Sequence, residues 1–190
     1  MTLQETEKVR LKALKRLEIL DTPPDGTFDR ITALASKIFN MPIALISLVD
    51  KERIWFKSHH GISINQIGKD LGLCASAIFS KDVYLVEDAV KDPRCLANPL
   101  VAGSFGLKFY AAAPLTTEDG HNIGTFCIID KAQRYINTDQ MGMLKDLAQI
   151  VVDEMELRLA ARLAVKKCND RISKLEKKEK EMKMKLKTLN

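Results

Sequence analysis

Phe109-Tyr110-Ala111-Ala112-Ala113-Pro114-Leu115 and, after a short interruption, Gly124-Thr125-Phe126-Cys127-Ile128-Ile129-Asp130 decide how this chain folds. Both are apolar runs of strand length. The segment between them, Thr116-Thr117-Glu118-Asp119-Gly120, ends in an Asp-Gly pair, a strong signal for a tight reversal. The two runs are expected to pair as an antiparallel hairpin at the centre of a sheet. Alanine, glycine and threonine on neighbouring strands keep one face shallow, so that a backbone or a small ligand can approach closely. Such a face suits a sensor pocket, and it equally suits a helix packed tightly against it.

Working outward toward the N-terminus, Ile43 to Val49 is a near-continuous apolar run that reads as a central strand. Asp50 to Arg53 turns it into a partner, Ile54 to Ser58, where Trp55 and Lys57 alternate with Phe56; that alternation predicts a hairpin with one wet face. A first helix is expected from about Glu5 to Ile19, stopped by Asp21-Thr22-Pro23-Pro24-Asp25-Gly26. The two prolines cannot continue a helix, and each pushes its predecessor to extended geometry, so this is a rigid elbow. Asp25 or Thr27 then caps a second helix through Phe39, with Phe28, Ile31, Leu34, Ala35 and Ile38 at core spacing.

Between the two hairpins, Cys74 to Ser80 reads as a short apolar helix, Val83 to Glu87 as a strand, and Ala89 to Ala102 as a polar loop broken by Pro93 and Pro99. A loop of that length is placed to cover a pocket. A final helix starts at Asn137-Thr138-Asp139, an N-cap signal. Its seam of Leu144, Leu147 and Val151 blurs at Glu154 and Arg158. It resumes at Ala161, Val165, Cys168, Ile172, Leu175, Glu179, Met182, Leu186 and Leu189. Alternating steps of four and three over about four heptads are the signature of a two-stranded coiled coil. A homodimer is therefore expected, the alternative being a single solvated helix frayed past about Lys180. Cys168 falls on the seam as a small core residue.

Composition excludes several classes. Of the chain's net charge of +5, the segment Lys166 to Lys187 carries an excess of +6, from ten basic and four acidic residues, which leaves the remainder near −1. The basic segment has no aromatic residue to stack on bases, so it reads as a solvated helix face and not as a nucleic-acid arm. The four cysteines form no Cys-x-x-Cys pair and the three histidines no i, i+4 pair, so neither zinc nor a disulfide framework is expected. Met1 to Leu17 holds no signal peptide or membrane span, and a cytoplasmic location is expected. No Gly-rich phosphate loop, kinase signature or Ser-His-Asp arrangement is recognisable.

Taken in order, Ile19-Leu20-Asp21-Thr22-Pro23-Pro24, Pro42 to Asp50, Trp55-Phe56-Lys57-Ser58, Asp92-Pro93-Arg94, Asn98-Pro99-Leu100-Val101, Phe109-Tyr110-Ala111, Ala113-Pro114-Leu115 and Gly124 to Asp130 resemble the GAF domain family, the cousin of the PAS sensor fold. The likeness is to the bacterial subgroup found before histidine kinases, diguanylate cyclases and other output modules. It implies an α+β fold: a six-stranded antiparallel sheet flanked by helices, here with a long C-terminal coiled-coil helix. The chain then divides into an N-terminal dimerisation helix at 1–17, a GAF domain at 18–157 and a basic coiled-coil extension at 158–190. Carried over by position, the resemblance implies a ligand pocket lined by Cys74, Ser76, Asp88, Arg94, Asn98, Phe109, Ala111, Thr125 and Cys127. Arg94 and Asn98 also suit closure of their own loop, since Asp92-Pro93-Arg94 can form a turn capped by Asp92. The chain departs from the subgroup where relatives write Pro-Arg and then Ser-Phe-Cys-x-His-Ala-Ile; here stand Gly68-Lys69 and Gly72-Leu73-Cys74-Ala75-Ser76-Ala77-Ile78. Loss of a titrating histidine argues for a weaker ligand, a different one or none.

The function this implies is non-catalytic: a small-molecule-sensing or regulatory protein in signal transduction, of the two-component kind. It would act as a homodimer that passes its signal through the exit helix to a separate output protein such as a kinase or cyclase. No histidine follows His121 and about 30 residues follow Ala160, so neither a phospho-acceptor histidine nor a catalytic domain is expected in the tail. Two alternatives stay open. One is a thiol-dependent reductase of free methionine sulfoxide using Cys74 and Cys95, with the Cys74 thiolate favoured at a helix start. The other is a ligand-free dimerisation scaffold. The ligand and any cofactor are unknown at this stage.

Overall fold

The computed structural model describes residues 2–188, and their side chains except at residue 3 and at 185–188. Six strands form one antiparallel sheet: β1 (Ile43–Val49), β2 (Arg53–His60), β3 (Gln66–Gly68), β4 (Tyr84–Val86), β5 (Phe109–Thr116) and β6 (Asn122–Asp130), in the order β3-β2-β1-β6-β5-β4. The hairpin expected from the Asp-Gly pair is β5–β6. Gly120 adopts φ +82° and donates its N–H to the Thr117 carbonyl, which closes the reversal. Among the described residues five α-helices, α1 (Leu3–Arg16), α2 (Gly26–Phe39), α3 (Cys74–Ala77), α4 (Pro99–Ala102) and α5 (Thr138–Thr188), and one 3-10 turn (Lys69–Leu71) complete the fold.

Local chemistry explains the helix ends. Thr2 and Glu5 form a reciprocal capping box on α1. Asp25 caps α2 by accepting from the Thr27 amide at 2.9 Å, and Asn40 ends it in the left-handed region at φ 49°. Asn137 and Gln140 exchange side-chain and backbone hydrogen bonds at the start of α5. Four details differ from the sequence reading. Helix α1 ends at Arg16, and its Ala13 and Leu14, with Leu17 just beyond, are buried within the protomer's own core. Helix α3 holds only four residues, because Phe79 and Ser80 continue as tighter turns that bond back to Ser76 and Ala77. Strand β3 and helix α4 are additional elements.

The fourth difference is the expected wet face of the β1–β2 hairpin, which is dry. A register shift between Ile46 and Ser47 lets both Lys57 and Ser58 meet α2 and the elbow. Lys57 is 5% exposed; its Nζ donates to Thr22 Oγ1 at 2.8 Å and to the Pro23 carbonyl at 2.9 Å, and lies over the Phe28 ring. Ser58 joins Thr32 at 2.9 Å and Asp29 at 2.7 Å. A buried cation is tolerated only with such partners. The elbow is thus fixed by acceptors that the proline turn presents, and Arg53 clasps Asp21 from the other side at 2.6 and 2.9 Å.

Helix α1 is anchored by charge. Arg10, almost fully buried, donates to the Val49 carbonyl at 2.7 Å and to Glu7, which also accepts from Lys69 Nζ at 2.8 Å. The hydrogen bond from Arg10 leads the effects that hold the Glu7 carboxyl down at about 2 from its ordinary 4.5. A depressed carboxyl adds stability above its unfolded pKa and loses it as pH falls toward the folded value, here between about 4.5 and 2. The Glu7 side chain is 30% exposed, so screening by water reduces the contribution to about 1–2 kcal/mol. Urea unfolding at pH 6 and pH 3 should show Glu7→Gln less stable than the parent at pH 6 by that amount, with the gap narrowing at pH 3. A constant gap would remove the assignment.

The described residues form two compact units, one up to Asp153 and one from Glu154 onward. In the second, α5 continues as a run of helix whose residues Ala161 to Met184 are all exposed. Among the seam positions, Leu189 lies outside the described residues and the Leu186 side chain is not described. Glu154 and Arg158, where the heptad blurs, form an i, i+4 ion pair at 2.6 Å.

Candidate functional site

Strand alternation sorts the expected pocket residues into three groups. On one face of the sheet, Ser47 of β1, Tyr110 of β5, and Thr125 and Cys127 of β6 converge on Cys74, the first residue of α3. The Tyr110 hydroxyl donates to Cys74 Sγ at 3.2 Å, and the Ser47 and Thr125 hydroxyls lie 2.8 Å apart. All five side chains are buried. They sit in a core that also takes Leu73 and Ala77 from the α3 region, Cys95 and Leu107 from the loops, and Ile43, Leu45, Phe56 and Ile129 from the sheet. The protein's own side chains therefore fill the space under α3.

The second group faces away. Phe109 and Ala111 alternate with Tyr110 and Ala112, which belong to that core, and so point to the opposite side of the sheet. Ser76 lies on the exposed side of α3.

The third group lies in the connection before β5, and its polar atoms are engaged in holding that connection. Arg94 forms an ion pair with Asp92, donates to the Leu85 carbonyl at 2.8 Å, and stacks on Tyr84 with its guanidinium carbon 4.7 Å from the ring centroid. Asn98 caps α4 by accepting from Leu100 N at 2.8 Å and donates to the Leu71 carbonyl at 3.0 Å. Asp88 pairs with Lys91 at 3.1 Å. Asp88, Arg94 and Tyr135 line a shallow outer cleft of about 460 Å³, separate from the core beneath α3. Arg94 and Asn98 both make the contacts that closure of their loop requires.

The electrostatics of the inner cluster are set by its donors. The polar neighbours of Cys74, Cys127 first and then Ser47, Tyr110 and Thr125, outweigh burial and draw its thiol below the ordinary value. The neighbouring Cys74, together with burial, pushes Cys127 well above its ordinary value. Burial raises Tyr110, which stays a neutral donor. Cys95 is raised by burial, then by the Asp92 charge, and is not among the groups that bond the Cys74 thiol. Cys74 and Cys127 lie in the same buried core, which also takes Cys95. Ser47 and Tyr110 are the two members of this cluster absent from the expected pocket. Tyr110 was within reach of the sequence, as the one polar-tipped aromatic in an apolar strand.

No group of three or more His, Cys, Asp or Glu side chains is placed to hold a metal among the described residues, and none of their helices is long and apolar enough to cross a membrane.

Comparison with known proteins places this geometry. A curated cyclic di-GMP phosphodiesterase of Pseudomonas aeruginosa is 39% identical over 149 residues, which cover 78% of this chain and 25% of that protein; the chain spans only a quarter of its relative. Among solved structures, the GAF domain of an Acinetobacter phosphoenolpyruvate-protein phosphotransferase superposes with a TM-score of 0.59 at 14% identity, over 80% of this chain and 96% of that one. The free methionine-R-sulfoxide reductase of Neisseria meningitidis, solved with its substrate, gives 0.58 at 19%, over 85% and 89%. At those identities the structures share the fold alone. The model of the GAF domain matches residues 23–154, from the proline elbow to the blurred heptad of α5, and with the sheet order and elbow described above it makes this chain a member of the GAF domain family.

Proposed function

We propose that this chain is a non-catalytic regulatory GAF module of a signalling system. It acts as a homodimer joined through the second segment of α5 and passes changes in its globular part to an output protein. The observation that carries the reading is the seam itself. Val165, Cys168, Ile172, Leu175 and Met182 recur at heptad spacing on the exposed segment of α5, with Ile172 and Leu175 48% and 58% exposed. A second copy removes that stripe from water. Membership of the GAF family, and the likeness to a phosphodiesterase of which this chain covers only a quarter, support an input role toward an enzyme that makes or breaks a signalling nucleotide, or toward a kinase.

Charge favours a parallel pair. With Val165, Ile172 and Glu179 at a and Cys168, Leu175 and Met182 at d, Arg171 of one chain faces Glu176 of the other, which offsets Lys178 against Lys183 in the next heptad. The antiparallel arrangement sets Arg171 and Lys178 against the same basic row. Parallel packing brings the two Cys168 thiols together across the seam. Mild oxidation with diamide should therefore give a covalent dimer on non-reducing gels that disappears in Cys168→Ser, and sedimentation in reductant should show a dimer for both. A monomer at micromolar concentration would exclude the reading; a dimer without the Cys168 link would exclude the parallel register.

Packing of the core beneath α3 by the protein's own side chains supports a ligand-free dimerisation scaffold as the second reading. Native mass spectrometry separates the two. A dimer carrying an additional mass that is lost on denaturation identifies a sensor with its small molecule, and a bare dimer favours the scaffold.

A further inference from the structure

Besides the outer cleft beside Arg94, the unit ending at Asp153 carries another, which the seam does not use. It measures about 600 Å³ and opens between the N-terminal half of α1, the turn that follows α3 and the β5–β6 reversal. A volume of that size suits a small organic ligand.

Part of its lining is an aromatic ring held in water. Phe79 is 72% exposed, the most exposed large hydrophobic side chain among the described residues. Loose backbone does not explain this. Asn122 Nδ2 donates to the Ile78 carbonyl at 2.8 Å and to the Ser80 carbonyl at 3.0 Å, one residue to either side of Phe79. The Asn122 side-chain oxygen accepts in turn from Thr116 Oγ1 at 2.7 Å. The Phe79 and Ser80 amides donate back to the Ser76 and Ala77 carbonyls. The backbone that carries the ring is thus fixed on both sides, and the apolar surface it presents is unfavourable in water.

The charged part of the lining is cationic. Arg10, Lys69 and Lys81 stand there against one carboxylate, Glu7, so three positive charges less one negative leave an excess of two. Glu7 is already shared. Arg10 grips it at 2.6 and 2.8 Å, and Lys69 Nζ reaches it at 2.8 Å. That one bond leaves the Lys69 ammonium two further donors. Asp82 and Asp119, beside Lys81 and Gly120 in sequence, pair with Lys145 at 2.7 Å and with Arg16 at 3.5 Å.

We propose that this cleft binds a small aromatic anion, a planar ring that carries a carboxylate or phosphate group. The ring covers Phe79, while the anionic group meets Lys69 and Lys81 in the field of the buried Arg10 guanidinium. A neutral ring would leave the cations unanswered, and a bare anion would leave Phe79 in water. The two features together therefore select the class. The site is independent of the seam and of whether the core beneath α3 takes a ligand.

The test titrates the isotope-labelled full chain with phenyl phosphate and with benzoate and follows its amide resonances. Inorganic phosphate and benzyl alcohol serve as the two half-ligands. Both aromatic anions should shift the Phe79, Lys81 and His121 amides saturably, with dissociation constants at least about tenfold below either half-ligand. Phe79→Ser and Lys81→Gln alter exposed side chains, so both variants should keep the parent's thermal transition. Each should weaken the aromatic anions at least about fivefold. Equal binding of phosphate would mark an adventitious ion only, and equal binding of benzyl alcohol a merely apolar patch; either overturns the proposal. So would the absence of saturation by both aromatic anions, shifts confined to the core beneath α3, or unchanged affinity in both variants.

Discussion

Alanine in place of Gly124 is expected to destabilise the domain by about 4 kcal/mol or more, a large part of the 5–15 kcal/mol that holds a typical domain together. A Cβ built at this position falls 1.9 Å from the Ser47 carbonyl oxygen and 3.0 Å from Leu48 Cα, both backbone atoms of the neighbouring central strand. No side chain can move aside to relieve that contact, so β1 and β6 must part. Overpacking of a core by one methyl costs about 1–3 kcal/mol when side chains adjust. Here ladder hydrogen bonds on either side weaken as well, at about 1 kcal/mol each. The contact of Ser47 Oγ with Thr125 Oγ1 at 2.8 Å lies one residue away and would be strained with them, which couples the sheet to the Cys74 cluster. The contrast is Gly26→Ala at the first position of α2, where nothing lies within 4 Å of the added methyl. That change should be neutral or stabilise by up to about 1 kcal/mol, as alanine is the better helix former. Urea unfolding of both variants checks the pair, and a loss below 1 kcal/mol for Gly124→Ala would show that the strands accommodate the methyl.

Gly124 was legible in the sequence as a small residue in an apolar strand, but the reason for it was not. The sequence pattern suggests a shallow face that receives a ligand or a packed helix; the structure puts the close approach of Gly124 within the sheet, between two backbones. The same limit explains which pocket residues the reading brought together. Strands β1, β5 and β6 are buried on both faces, so their residues carry no polar-apolar alternation to tell one face from the other. The pocket that the family resemblance implies joins Phe109 and Ala111 to Cys127, although the two point to the opposite side of the sheet. Lys57 misled for a related reason. A lysine alternating with aromatics reads as solvated, and only the elbow, more than thirty residues earlier, supplies the acceptors that bury it. Strand β3 has three residues, too few for any period, and α4 hid in the polar loop even though Asn98-Pro99 is a cap followed by a first-turn proline. What the sequence conveyed well were the elements fixed locally: the Asp-Gly reversal, the Asp25 and Asn137 caps, the proline elbow and the long exit helix.

Lysine at Ile172 and Leu175 together should convert the dimer to monomer, with the dissociation constant raised at least about 1000-fold. Each substitution removes two facing apolar side chains from a seam, and a fully buried Ile or Leu is worth about 1.5–3 kcal/mol. It also sets two ammonium groups against each other in a segment where Arg171, Lys174, Lys177 and Lys178 already concentrate positive charge. The four side chains together come to about 6–12 kcal/mol, which exceeds the roughly 4 kcal/mol that a thousandfold change represents. The side chains are about half exposed in a single chain, so the substitution leaves the protomer's own core untouched. The thermal transition of the unit ending at Asp153 should accordingly stay where it was when both proteins are compared at a concentration where the parent is also monomeric. Lys177→Ala, on the outer side of the same heptad, is the control and should leave association within about twofold. Sedimentation velocity over a dilution series reads all three. If the double lysine variant still sediments as a dimer, the joining surface lies in the globular unit, where Leu34, Ile38, Met143 and Ile150 are also exposed, and the exit helix is free to serve another partner.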